Sequence, residues 1–283
     1  MEVFYQPEIK GVFGEMMKLV KYLSRFIIFV LLTIITQIGG LIYLISVILN
    51  NKIRLSFWGK RLVIFIVLYV TASFLIVPFV APWFGREKIR NNNNLQAATF
   101  ATVLLNRNYV TTETHEFLQS ISQNLAEKNP EVKARYLDAC FPFFDGFPLL
   151  PHLSHNDGCK IDFSLIYEDI NGQIVNKSKS ISGYGVFENP LRYEVDQCKN
   201  CMQKGYFQYD YPKYMTLGRI NDDIKFSKSG TNALIDAILS QRKLTKMFIE
   251  PHLKQRLKLD DKRVRFQGCR SVRHDDHIHV QIN

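Results

Sequence analysis

The sequence predicts an α+β protein in which two apolar helices precede a larger mixed domain. Two observations lead to this class. Residues 26–49 and 62–84 are stretches of 24 and 23 residues without a charged side chain. The remainder alternates between segments of helical and of strand periodicity, without an internal repeat. We therefore expect an N-terminal segment over 1–25, a helical hairpin within 26–90 and one folded domain over 91–283.

The two apolar stretches are predicted to be transmembrane helices. At about 1.5 Å per residue, each is long enough to cross a hydrocarbon core of about 30 Å. The first is too long, and begins too far from the N-terminus, to be a cleavable signal peptide. A buried helical hairpin in a soluble protein is the alternative, which the short basic loop over 50–61 disfavours. The lipid bilayer is thus an expected partner.

The orientation in the membrane remains open at this level. The loop between the two stretches contains four basic residues, namely Lys52, Arg54, Lys60 and Arg61. Positive loops usually lie in the cytoplasm, which would place the C-terminal domain on the outside. Basic residues also precede the first stretch and follow the second, however, so charge alone does not decide the topology.

The net charge of +10 does not indicate a nucleic-acid partner. Residues 1–90 contain 11 Lys and Arg against 4 Asp and Glu, which leaves 25 and 22 for residues 91–283. Most of the excess therefore belongs to the flanks of the apolar helices, where anionic lipid headgroups attract it. The nearly balanced remainder offers no basic surface for DNA or RNA.

The C-terminal domain has recognisable elements. Helices are expected over 111–128 and 231–241, and a strand followed by a helix over 246–257. Strands are expected over 132–140, 160–167, 263–267 and 276–282, with an aromatic loop over 141–148. The segment 168–224 is rich in tyrosine, and these aromatics either pack an insertion, which we favour, or line a groove for substrate.

Histidine is concentrated at two places in this domain. Five of the seven histidines form two clusters, and Asp162 follows the first cluster closely; the clustered residues are His152, His155, His274, His277 and His279. A catalytic Zn²⁺ takes three protein ligands and leaves one position for water. Along a strand over 276–282, period-2 alternation sends His277 and His279 to the same face. The pattern therefore predicts a zinc site assembled from two distant segments.

At these residues the chain resembles a known family. The pattern Ser-His-x-x-Gly-x-x-x-Asp, followed far downstream by His-x-His, is similar to that of the zinc metallopeptidases that include lysostaphin-type endopeptidases, D-alanyl-D-alanine metallopeptidases and the hedgehog signalling domain. The fuller set resembles the penicillin-insensitive murein endopeptidases. The resemblance covers roughly 132–283, with a poor match over 168–224. It implies a hedgehog/D-Ala-D-Ala-peptidase-like domain whose antiparallel sheet carries the zinc site.

The resemblance also implies roles for individual residues. His155, Asp162 and His279 would be the zinc ligands, and His277 would assist proton transfer or stabilise the oxyanion. His274 would act in catalysis beside it, and His152 would support the site or contact substrate. Lys160, two residues before the aspartate, departs from the family pattern and would alter substrate choice or the local field. No glutamate stands near His274 in the sequence to act as the base.

The implied function is that of a membrane-anchored zinc peptidase that cleaves peptidoglycan stem peptides or crosslinks. It would lie in a bacterial inner or plasma membrane with its catalytic domain outside the cytoplasm. A D-alanyl-D-alanine carboxypeptidase, a protein-directed membrane metallopeptidase and a zinc-containing cell-wall binding module without activity are the alternatives. A carboxypeptidase would need a cation for the free carboxylate, for which Lys160 and Arg273 are candidates.

All five cysteines lie in the C-terminal domain, which suits an oxidising compartment. Cys198 and Cys201 form a Cys-x-x-Cys pair, for which a disulfide is expected, or else two free thiols. Half of a second zinc site is the alternative, but the sequence has no other Cys-x-x-Cys to complete one.

Overall fold

The computed structural model describes residues 6–52 and 59–283. The chain divides into two compact units, Met1–Ile76 and Val77–Asn283. The first is helical, and the second combines helices with three sheets. The predicted α+β class is confirmed at this level.

The first unit consists of apolar helices. Its elements are α1 (Gln6–Thr36), α2 (Gly39–Lys52), α3 (Lys60–Thr71) and a π-helical turn over Ala72–Ile76. Among the described residues, two helices are long and apolar enough to cross a bilayer, Val12–Thr36 and Lys60–Phe84. Core helices and signal sequences can pass the same test of length and composition. The predicted basic loop over 50–61 includes residues 53–58, which lie outside the described residues.

The first predicted span, over 26–49, is wrong in its bounds because the helix breaks within it. Gln37 has a φ of 65°, between the end of α1 and the start of α2. A Cβ atom at Gly40 would lie 2.0 Å from Thr33 Oγ1 and 2.6 Å from the Phe29 carbonyl oxygen. Because glycine has no side chain, α2 can fold back closely onto α1. The stretch is therefore a tight helical hairpin.

The second unit begins with α4 (Val77–Val80) and a 3₁₀ turn over Ala81–Phe84. Its helices are α5 (Phe100–Leu104), α6 (Thr112–Lys128), α7 (Gln197–Gln203), α8 (Lys228–Leu239) and α9 (Pro251–Arg256), with a 3₁₀ helix over Phe207–Tyr214. Its strands are β1 (Glu87–Lys88), β2 (Leu95–Ala97), β3 (Tyr109–Val110), β4 (Ala134–Tyr136), β5 (Lys160–Ser164), β6 (Tyr167–Glu168), β7 (Ile174–Val175), β8 (Lys225–Phe226), β9 (Leu244–Phe248), β10 (Val264–Arg265) and β11 (His277–Ile282).

The largest sheet has six strands in the order β10-β9-β11-β5-β4-β2. Its centre is antiparallel because β11 pairs antiparallel with both β5 and β9, and β4 pairs antiparallel with β5. The outer pairs β10–β9 and β2–β4 are parallel. The sheet is thus mixed, whereas an antiparallel sheet was predicted, and the two strands that carry the candidate metal ligands are neighbours in it.

Alternation along the two central strands separates core from site. Ile161 and Phe163 of β5 and Ile278 and Val280 of β11 belong to the same buried core as the apolar residues of α6 and α8. Successive side chains of a strand point to opposite faces, so Asp162, His277 and His279 lie on the other face of the sheet. Burial of the aliphatic face therefore holds the polar face in place.

Three strands are shorter than predicted. The strand expected over 160–167 ends with β5 at Ser164, and Tyr167 begins β6. The strand expected over 132–140 is confined to β4, and that expected over 263–267 to β10. Beyond β4 the backbone bonds to separate segments: Leu137 N–H donates to the Asp162 carbonyl, Ala139 N–H to the Arg107 carbonyl and Cys140 N–H to the Tyr109 carbonyl. These backbone N–H groups donate to three separate segments instead of to one neighbouring strand, so the strand ends at Tyr136.

Candidate metal centre

The pairing of β5 with β11 brings the first two site residues together. Asp162 and His279 are direct partners in the ladder, and His277 stands opposite Ser164. Directly opposed side chains on one face have Cβ atoms about 4.5–5.5 Å apart. The Asp162 Oδ1 and His279 Nδ1 atoms accordingly lie 2.8 Å from each other. Two segments 117 positions apart in the chain thus share one site.

His155 reaches the same point from a loop. Its Nδ1 atom lies 2.9 Å from the backbone carbonyl oxygen of Ala139. Because a carbonyl only accepts, Nδ1 carries a proton, and Nε2 is the nitrogen that faces the site. That Nε2 atom lies 3.1 Å from His279 Nδ1 and 3.2 Å from Asp162 Oδ1. The loop therefore turns Nε2 toward the other two donor atoms, where the neutral ring would offer its lone pair to a metal ion.

The three atoms form a triangle with sides of 2.8, 3.1 and 3.2 Å. Ligand atoms about 2.0–2.1 Å from a tetrahedral metal ion lie roughly 3.3 Å from one another. The donor set, two imidazoles and a carboxylate, also suits zinc or another transition metal. His155, Asp162 and His279 are all buried and can hold a metal ion.

Asp162 is fully buried, and its charge is balanced by its surroundings. Burial alone would raise its pKa, but the neighbouring imidazoles of His155 and His277, together with hydrogen bonds from the site, hold the pKa well below its usual value. Its second oxygen, Oδ2, accepts a hydrogen bond of 2.9 Å from the Tyr184 hydroxyl. The carboxylate is therefore ionised and held in a fixed orientation, as a metal ligand must be.

His277 is oriented by a carboxylate of its own. Its Nδ1 atom lies 2.5 Å from Asp276 Oδ1, and Asp276 Oδ2 accepts from the backbone N–H of Gly185 at 2.5 Å. The other ring nitrogen, Nε2, lies 3.8 Å from Asp162 Oδ2. Burial acts to lower the pKa of His277, but Asp162 and Asp276 raise it to about 9. The ring thus stands beside the donor triangle without being part of it.

His152 is held beside the triangle by a second carboxylate. Its Nδ1 atom lies 3.1 Å from Asp138 Oδ2, and Arg107 Nη1 donates to the same oxygen at 3.2 Å. The backbone N–H of Asp138 donates to the Tyr184 hydroxyl at 3.0 Å, and that hydroxyl donates to Asp162. A chain of hydrogen bonds therefore connects His152 and Asp138 to Asp162.

His274 also belongs to the cluster, with ring centroids 4.9 Å from His277 and 5.9 Å from His279. Burial and the charge of its neighbouring imidazoles hold its pKa well below the usual value. Its backbone N–H donates to Glu250 Oε1 at 2.9 Å, and the Tyr209 hydroxyl donates to the same oxygen at 2.5 Å. A glutamate thus stands near His274 in space, although none is near it in the sequence.

The structure brings together all five clustered histidines and Asp162, but not Lys160. The Lys160 ammonium pairs with Asp157 in the preceding turn, where Gly158 has a φ of 74°. Lys160 therefore stabilises the turn through its ion pair with Asp157 and does not contact the donor triangle. His115 and His252 lie elsewhere, in α6 and α9.

The expected disulfide between Cys198 and Cys201 is wrong. Cys201 pairs with Cys269, while Cys198 keeps a free thiol whose sulfur accepts from Arg273 Nη1 at 3.4 Å. Both cysteines of the Cys-x-x-Cys pair lie on α7, and only Cys201 is fully buried. Its sulfur faces the loop before β11, which a local sequence pattern does not reveal.

Sequence reasoning missed Asp138, Tyr184 and Glu250 as parts of the site. Asp138 and Glu250 each follow a strand, β4 and β9, in a segment that leads toward the cluster, and this is the one signal that they give. Tyr184 lies in the tyrosine-rich segment, for which the sequence favours packing; it is buried, and its hydroxyl also donates a hydrogen bond to Asp162. The chain matches no protein-family model, and no curated protein matches it.

Proposed function

We propose that this protein is a zinc-dependent peptidase, anchored in a membrane by its N-terminal apolar helices, that hydrolyses amide bonds in peptidoglycan stem peptides or crosslinks. The observation that carries the proposal is the buried triangle of His155, Asp162 and His279. Catalytic zinc sites typically use three protein ligands, whereas structural sites usually use four. Among the described residues, the group of possible ligands has three members.

The residues around the triangle support catalysis rather than metal storage. When bound, a zinc ion supplies a Lewis acid that activates water at neutral pH and polarises a carbonyl group. Asp276 fixes the ring of His277 so that Nε2 faces the site. From there His277 can pass a proton or donate a hydrogen bond to an oxygen that gains negative charge. Tyr184 keeps Asp162 oriented, which preserves the ligand geometry.

The peptidoglycan substrate follows from the resemblance of the histidine motifs to murein endopeptidases. Charge pairing favours cleavage of an internal bond over removal of a terminal residue. Both candidate cations for a free carboxylate are already neutralised: Lys160 pairs with Asp157, and Arg273 pairs with Asp275 at 2.5 Å and with Asp210 at 2.9 Å. A carboxypeptidase would need a cation without such a partner.

A second candidate is a peptidase that acts on protein segments. The observation that favours it is an apolar cavity of about 170 Å³ beside the donor triangle, lined in part by His152 and Tyr184. The metal chemistry and the role of His277 would be the same. The two candidates differ in the side chains that flank the cleaved bond.

The test uses the full-length protein in detergent, incubated with crosslinked peptidoglycan, with and without a chelator and with zinc restored. His277→Ala is the active-site variant, and His115→Gln, which changes a histidine outside the cluster, is the matched control. We expect uncrosslinked peptides, identified by mass, from the wild type and the control only, and only with metal.

Other outcomes would overturn the proposal in different ways. Loss of terminal D-alanine alone would indicate a carboxypeptidase. Stoichiometric metal binding without any product would contradict wall hydrolysis and favour a binding module or a different substrate.

A further inference from the structure

The apolar cavity beside the donor triangle has no role in the mechanism described above. Its volume is about 170 Å³, and most of its wall is formed by aliphatic and aromatic side chains. Representative members are Ala101 of α5, Leu105 directly after α5, Leu150 of the loop that carries His152, Tyr211 of the Phe207–Tyr214 helix, and Met215 and Leu217 after that helix. A cavity of about 150 Å³ accommodates benzene. The apolar cavity therefore has room for the ring of phenylalanine or the branched chain of leucine.

Two side chains belong to both the cavity and the candidate metal centre. His152 and Tyr184 line the cavity. The Tyr184 hydroxyl lies 2.9 Å, and His152 Nδ1 3.5 Å, from Oδ2 of the metal ligand Asp162. A group in the cavity is thus one side chain away from the donor triangle. A substrate whose cleaved amide bond lies at the donor triangle can therefore place the neighbouring side chain in the cavity.

The charges in the wall of the cavity cancel. Arg107 Nη1 and His152 Nδ1 both bond to Asp138, at 3.2 and 3.1 Å. A charged guest would lose its hydration without finding an unpaired counter-ion, which is costly in a largely apolar site. An apolar group displaces water from the apolar wall of the cavity, and it has no favourable hydration of its own to lose.

The entrance is apolar as well. Leu150, Tyr211 and Leu217 line the cavity and are 46%, 52% and 70% exposed. Large apolar side chains gathered at the rim of a concave site are typical of surfaces that bind a ligand. The rim and the interior therefore select for the same kind of group.

We infer that the apolar cavity binds a large apolar side chain of the substrate, at the residue next to the cleaved amide bond. This inference rests on the second candidate of the proposed function, a peptidase that acts on protein segments, and names the kind of side chain that its substrate would carry. Hydrolysis of peptidoglycan, the first candidate, does not depend on it.

The test measures binding, so that it does not depend on turnover. The full-length protein in detergent micelles is titrated with N-acetyl amides of phenylalanine, tryptophan, alanine and glutamate, followed by ligand-observed NMR. Ala101→Phe fills the cavity with a ring. Val103→Phe adds the same ring to the same helix at a position that does not line the cavity. Binding of the amides to the detergent micelles is the same for both variants, so it cancels in the comparison.

We expect the phenylalanine amide to bind the wild type and Val103→Phe roughly tenfold more tightly than the alanine amide. Ala101→Phe should lose this preference. Because an added ring can disturb folding, Met215→Ala provides a second measurement: it enlarges the cavity and should shift the preference toward the tryptophan amide. Equal binding to Ala101→Phe and Val103→Phe, or binding of the glutamate amide as tight as that of phenylalanine, would overturn the inference.

The two proposals fail separately. Selective binding of the phenylalanine amide without metal-dependent hydrolysis of any peptide would leave the cavity assigned and refute the peptidase. Metal-dependent hydrolysis of peptides, without a side-chain preference that is lost in Ala101→Phe, would support the peptidase and refute the role of the cavity.

Discussion

At the scale of single residues, the three ligands are expected to bind one metal ion together. Replacement of His279 or Asp162 by alanine removes a corner of the donor triangle and should abolish stoichiometric binding of zinc, measured by elemental analysis after dialysis. Lys160→Ala should retain the metal because its ammonium pairs with Asp157. For the wild type, a chelator should lower the stability toward unfolding by about 2.7 kcal/mol if zinc was present at 100 times its Kd. Zinc retained in His279→Ala would contradict the assignment.

Tyr184 is expected to support the site through its hydroxyl alone. Tyr184→Phe keeps the ring but leaves Asp162 Oδ2 without a donor and the buried N–H of Asp138 without an acceptor. An unsatisfied buried group costs about 1–3 kcal/mol, and loss of such a supporting contact weakens metal binding about 10–100-fold. Denaturant unfolding and a zinc titration measure the two effects. Tyr193→Phe, at an 80% exposed residue, should change stability by less than about 0.5 kcal/mol.

His252 should make the fold sensitive to acid. Burial, then the charges of Arg256 and Arg273, lower its pKa, while its Nε2–H donates to the Glu188 carbonyl at 2.8 Å. Because the unfolded chain takes up the proton at a higher pH, near 6.5, the neutral ring stabilises the fold above that pH. This stability is lost as the pH falls toward the lowered pKa. His252→Gln keeps a donor but cannot titrate, so its unfolding free energy should fall less than that of the wild type between pH 7 and pH 5.

At the scale of elements, the disulfide connects α7 to the loop before β11. It closes a long loop, with a sequence separation of 68 residues. Cys269→Ser should therefore destabilise the oxidised protein by about 2–5 kcal/mol. Cys198→Ser should leave the bond and the stability unchanged. Thiol titration of the unfolded, unreduced protein should find three free thiols, those of Cys140, Cys159 and Cys198. Peptide mapping that joins Cys198 to Cys201 would contradict this pairing.

At the scale of the whole molecule, the proposed function requires the C-terminal domain to face the cell wall. A phosphatase reporter that is active only outside the cytoplasm, fused after Asn283, should be active, and a fluorescent protein that folds only in the cytoplasm should stay dark. The protein should also remain with membranes after an alkaline wash, because Val12–Thr36 and Lys60–Phe84 are long enough and apolar enough to cross a bilayer. The opposite reporter pattern would place the domain in the cytoplasm and exclude the wall as substrate.

Only some residues of the candidate metal centre could be predicted from the sequence. Short-range patterns were sufficient for His277 and His279, since alternation along one strand places both on one face. They were insufficient for Asp138, Tyr184 and Glu250, which reach the site through loops. Spacing could not reveal these residues because no periodicity relates them to the histidines. The same limitation applies to Cys201, whose partner Cys269 arrives from a distant loop.

The sequence by itself determined the α+β class, the two apolar regions and the residue types of the candidate metal centre. Each of these follows from local hydrophobic periodicity and from the chemistry of side chains. Only the tertiary structure decided the ladder register that sets Asp162 against His279, the break at Gln37, the pairing of Cys201 and the apolar cavity. These features depend on contacts between segments far apart in the chain, and the packing of the whole domain determines which segments meet.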